Sequence, residues 1–138
     1  LLALLPLYAA PAFLADLSRS EKAALRREMV EYDITIRELA SNIAMRYKNT
    51  AQTNARYLAS SPVIAHIEYG KDYKKVRALF AKNGLDSHFV KIETEAAALD
   101  KYFKTVSSNT DTDWNKVLKS YSAIVNECGA CHAKTGVQ

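Results

Sequence analysis

The chain has 138 residues, the size of one domain, and 49% of them are apolar, enough to build a core without disulfide staples. The net charge of +4 is spread among interspersed acids and bases, so no block of like charge marks a nucleic-acid footprint, and no nucleic-acid partner is expected. Four Gly and three Pro are few for an all-β protein with many turns, whereas Ala, Leu, Lys, Glu and Arg are common and favour helix.

The first segment, Leu1–Leu17, reads LLALLPLYAAPAFLADL, with no basic residue and one acid. Its apolar stretch is shorter than the ~20 residues a spanning helix needs. Pro6 and Pro11 argue against one straight helix. It has the make-up of the apolar region of a secretory signal, with small residues before a cut near Ala15. A retained anchor that contacts a membrane or a partner subunit is the competing reading. The expected division is therefore an apolar segment over 1–17 and a helical domain over 18–138.

The first helix opens at Ser18 or Ser20, because Ser18 and Glu21 have the spacing of a capping box. Neither Gly nor Pro interrupts the chain from there to Pro62, so the pattern predicts an unusually long helix, weakened in its second half by Asn42, Asn49, Thr50 and Asn54. Its apolar stripe is Leu25, Met29, Tyr32, Ile36, Leu39 and Ile43, in steps of three and four. Ser61-Pro62 reads as the start of a second helix that runs toward Lys82, with an interruption at Gly70 and a stop at Asn83-Gly84. A third helix begins at Asp86 or Ser87, with Phe89, Ile92, Ala96, Leu99, Phe103 and Val106 on its stripe. A Ser/Asn/Thr loop follows, and Asp111, Thr112 or Asp113 caps a fourth helix. On that helix Trp114, Val117, Leu118, Tyr121, Ile124, Val125 and Cys128 share one face, which Cys131 and His132 continue. Four amphipathic helices with short connections predict an all-α, antiparallel four-helix bundle.

Both cysteines of the chain fall in its last eleven residues, in Cys128-Gly129-Ala130-Cys131-His132. This is the C-x-x-C-H pattern of covalent haem attachment. Two thiols three residues apart on a helical turn reach the two vinyl groups on one edge of a porphyrin, and the next residue sets an imidazole under the ring. Gly129 and Ala130 are too small to block the ring edge. A redox C-x-x-C pair would need a strand-then-helix setting. A structural zinc site would normally need four ligands. The motif therefore predicts one covalent haem c, with Cys128 and Cys131 as thioethers and His132 as an axial iron ligand. Such attachment takes place outside the cytoplasm, so the expected location is periplasmic or otherwise extracytoplasmic, with the apolar N-terminus as a candidate anchor.

A helical bundle with this motif near the end of its last helix resembles the class II cytochromes c, the cytochrome c prime family with its low-spin relatives. The stretch that carries the resemblance is Trp114 to Leu118, Tyr121, and Cys128 through His132. Elsewhere only the helix count and the first-helix pattern match. Two departures stand out. The family's basic residue four positions after the ligand histidine falls here on Gly136, with Lys134 pointing elsewhere, and the first helix is longer. The resemblance implies a first helix facing the distal side of the haem, and a dimer as a candidate oligomer. It places Met29 about where the low-spin members carry a methionine ligand. Methionine with histidine raises the reduction potential and suits an electron carrier; core packing is the alternative role for Met29. His66 and His88 are the alternative sixth ligands.

The function expected is single-haem electron transfer to and from redox partner proteins. A haem-based gas-binding or sensor domain, and a haem subunit of a larger complex or polymer, are the alternatives. No acid–base constellation surrounds the motif, so catalysis is not expected. Lys71, Lys74, Lys75 and Arg77 form a basic run, read as a solvated face or a docking patch for an acidic redox partner.

Overall fold

A computed structural model describes residues 11–62, 67–106 and 110–136. Its elements are α1 (Ala12–Ala15), α2 (Arg19–Ala44), α3 (Lys48–Ala59), α4 (Ile67–Lys82), α5 (Asp86–Phe103) and α6 (Asp111–Thr135). The class is all-α, with no strand among the described residues.

α2 starts at the expected capping box. The Glu21 backbone N–H donates to Ser18 Oγ at 3.2 Å, and the Ser18 N–H donates to the Glu21 carboxylate at 2.9 Å. It does not run on toward Pro62. The chain turns at Met45–Tyr47, with Arg46 in the left-handed region at φ 54°, and α3 folds back along α2. The pairs Asn42–Asn54 at 2.8 Å, Glu31–Tyr57 at 3.2 Å and Glu28–Ser61 at 3.1 Å climb this antiparallel seam. The expected long helix is therefore two helices. Asn-rich sequence has little intrinsic stake in helix continuity, and the hairpin buries Ala51, Ala55 and Leu58 completely. Burying one leucine contributes about 1.5–3 kcal/mol, enough to offset the roughly 1–2 kcal/mol of a left-handed non-glycine residue.

The helix start expected at Ser61-Pro62 runs into residues 63–66, outside the described residues. Ser61 has φ 57°, and its hydroxyl donates to Glu28. α4 is described from Ile67 and continues through Gly70. Gly84, at φ 69°, makes the tight turn into α5. Arg77 ties the two helices as an antiparallel pair by meeting both Asp86 and Glu93. It also lies over the Phe89 ring at 4.8 Å, so it faces inward and leaves the basic run.

α5 buries the expected stripe and lies antiparallel to α3, with Lys48 Nζ donating to the Val106 carbonyl and Gln52 to Asp100. Thr110 caps α6 through the Asp113 N–H, and Gly136, at φ 62°, ends it. α6 runs back along α5, from Tyr102–Asp113 to His88–Glu127. Its buried edge is Trp114, Val117, Ile124 and Cys131. Leu118 and Val125, expected inside, are 50% and 39% exposed. They sit a fraction of a turn off that edge, and α6 meets α2 along a much thinner seam than the one with α5.

Phe80 and Phe89 pack edge to face at 5.4 Å, and Phe89 also meets Tyr32 and Tyr73. The described part of the apolar N-terminus joins this core. Phe13 stands edge-on to Phe80 at 5.4 Å, and Leu17 is buried. Among the described residues no helix is long and apolar enough to cross a membrane.

Candidate functional site

The last two turns of α6 carry Cys128, Cys131 and His132. Helical geometry puts residues three and four apart on one face, so the two thiols and the imidazole rise from a common surface. That surface forms one wall of a cavity of about 210 Å³. Met29, Tyr32, Asp33 and Ile36 of α2 and His88, Phe89 and Ile92 of α5 complete it. The structure thus brings together Cys128, Cys131, His132, Met29 and His88, which come from three helices. His66 lies outside the described residues.

The cavity is mainly apolar, and this sets the state of the thiols. Burial pushes the Cys128 thiol up to about 11, and the neighbouring Cys131 adds to the shift. Cys131 is raised by burial as well. Reactive C-x-x-C thiols show the opposite: a depressed pKa, often at a helix N-terminus. This pair sits at the C-terminal end of α6, where the helix dipole disfavours a thiolate. Among the described residues no three His, Cys, Asp or Glu side chains converge as a metal ion would require.

The two histidines differ. His132 is exposed, and among the described residues its ring makes no hydrogen bond, so both ring nitrogens are available. His88 is buried with both nitrogens engaged. Nδ1 meets the Glu127 carboxylate at 2.8 Å, and Lys134 Nζ lies 3.1 Å from Nε2. A neutral imidazole in that setting carries its proton on Nδ1 and accepts from Lys134. Glu127 is held below the usual carboxylate range by the hydrogen bond from His88, and Lys91 at 3.3 Å reinforces this.

Met29 is partly buried and packs against the core, as its place on the stripe requires. Asp33, one turn on, reaches the cavity rim and is clamped by Arg37. Sequence spacing could have found Asp33, since it lies four residues after Met29. No spacing rule could have found the partners of His88, because Glu127 and Lys134 stand far along the chain.

Gly129 has open space where a Cβ would project, so no neighbour among the described residues demands a glycine there. Gly136 is the helix's left-handed terminus, which explains why no side chain occupies the position four residues after His132. A larger cavity of about 480 Å³, with a more polar lining, lies apart from the motif, and Ser61, Tyr73, Arg77, Asp86 and Glu93 are among its lining residues. Compared with protein-family models, curated proteins and solved structures, the chain finds no match.

Proposed function

We propose that this chain is a single-haem c-type cytochrome that transfers electrons in the periplasm or cell envelope. One observation carries the reading: Cys128, Cys131 and His132 share a mainly apolar cavity with Met29. Two thiols, an imidazole and a thioether are the donor set of a covalently held, six-coordinate haem. Two further features support it. Both thiols are held protonated, which speaks against a redox dithiol. Gly129 costs its helix about 1 kcal/mol relative to alanine and serves no neighbour among the described residues, so its smallness fits a ring edge passing close by.

In this reading the haem, when bound, supplies a one-electron iron couple, and the protein holds and shields it. Cys128 and Cys131 tether the ring and His132 binds the iron from α6. Met29 offers the soft second ligand from α2, which holds both oxidation states with little rearrangement. Tyr32, Ile36, Phe89 and Ile92 keep water from the ring, and a dry pocket raises the potential. The helix directions favour an antiparallel bundle of four columns, with α3 and α4 end to end in one of them, as in the class II cytochromes c. Redox partner proteins are the expected partners.

The test is expression with export and a haem-attachment system, then denaturing electrophoresis with haem staining and optical spectra of oxidised and reduced protein. Stain that survives denaturation and disappears in Cys128→Ser/Cys131→Ser supports the reading. Wild-type chain without stain overturns it. A stained protein with five-coordinate iron and rapid carbon monoxide binding would transfer the reading to a gas-binding domain.

A further inference from the structure

His88 poses a chemical problem that the geometry around it solves. It lines the same cavity as Cys128, Cys131, His132 and Met29. A free imidazole nitrogen there would compete with the Met29 thioether, because imidazole is a good iron ligand. Nε2 is not free, however. Lys134 Nζ stands 3.1 Å from it, and Nδ1 is committed to Glu127 at 2.8 Å.

We propose that Lys134 is a positioning residue that decides which side chain binds the haem iron opposite His132: by occupying His88 Nε2 it withholds His88 and leaves the position to Met29. The inference rests on the haem reading of the cavity and adds to it a determinant of ligand identity.

Three features carry the argument. An ammonium has donors only, so the Nε2 lone pair is directed at Lys134, which is not among the residues that line the cavity. The carboxylate of Glu127 holds the ring from its other side, which fixes both tautomer and orientation. The groups facing His88 come from two helices, with Glu127 and Lys134 on α6 and Lys91, which also binds Glu127, on α5. Across the cavity Asp33 of α2 is held by Arg37. Gly136 ends α6 one turn past His132, so the side chain of Lys134 can reach across to α5.

The experiment uses the haem-loaded full chain. Lys134→Met keeps the aliphatic stem and removes the donor. Lys134→Arg keeps a donor. Lys134→Met/His88→Phe removes the competing imidazole. The readouts are the near-infrared and electron-paramagnetic spectra that separate methionine–histidine from bis-histidine iron, together with the reduction potential. The expected result is bis-histidine iron and a lower potential in Lys134→Met, and the wild-type spectrum in the other two variants. A second readout needs no haem. Nitrogen NMR of the unloaded chain should show His88 protonated at Nδ1, with an Nε2 resonance that shifts on Lys134→Met. Haem attached normally, with Lys134→Met spectra identical to wild type, overturns this proposal alone. Failure of the wild type to attach haem overturns the functional reading and the ligand assignment with it, whatever the NMR shows.

Discussion

Met29 of α2 and His132 of α6 line one cavity, although most of the chain separates them. α2 and α6 make only a thin seam with each other, and α5 joins them in walling the cavity.

Met29→Leu nearly conserves volume, so the fold should lose less than about 1.5 kcal/mol in urea unfolding. With haem attached, the iron should become five-coordinate and bind carbon monoxide rapidly. The optical spectrum before and after gas exposure measures this. Unchanged spectra would make Met29 a packing residue only.

Trp114 is buried against Phe103, with ring centroids 6.1 Å apart, and its Nε1–H has no acceptor among the described residues. Trp114→Ala should cost about 3–5 kcal/mol. Trp114→Phe should cost far less, because it keeps most of the buried ring and gives up an N–H that no described residue accepts. Chemical denaturation of the two variants, compared at equal slope, checks the ordering.

Gly136 holds φ 62° at the end of α6. Gly136→Ala should destabilise the chain by about 1–2 kcal/mol through left-handed strain. The loss should be local, so hydrogen exchange should quicken in the last turn of α6 and leave the centre of α5 unchanged. Uniform quickening would show that the terminus is part of the cooperative core.

Acid should weaken the α5–α6 contact. Glu127 ionises below its ordinary value of 4.5 because His88 and Lys91 stabilise the carboxylate. A depressed folded-state pKa gives stability that is fully present above the unfolded value and is lost as pH falls through the folded one. Unfolding free energy should therefore decline below pH 4.5, and Glu127→Gln should flatten that part of the profile. A wild-type profile with no slope in this range would refute the assignment.

Much of this protein can be read from residue spacing alone. The capping box at Ser18, the stripe from Leu25 to Ile43, the stop at Asn83-Gly84 and the stripe of α5 are local patterns, and local sterics with apolar periodicity suffice to set them. The C-x-x-C-H motif is legible for the same reason, since its three side chains lie within a turn and a half of one helix. Met29 could be placed on an inward face by periodicity, and its nearness to the motif was expected only by resemblance.

Other features were decided by contacts between distant segments. The turn at Met45–Tyr47 has no Gly or Pro to announce it. It exists because α3 gains more by burying Ala51, Ala55 and Leu58 than a continuous helix would gain by keeping its backbone regular. Arg77 reads as one of a basic run, yet two carboxylates on α5 draw it inward. His88 reads as a candidate ligand, and only the folded chain brings Glu127 and Lys134 of α6 to both its nitrogens. Local sequence thus determined the helices and the chemistry that one turn can carry. Tertiary structure decided where the helices break and which donors stay free, because those outcomes depend on burial and pairing between residues that only the folded chain brings together.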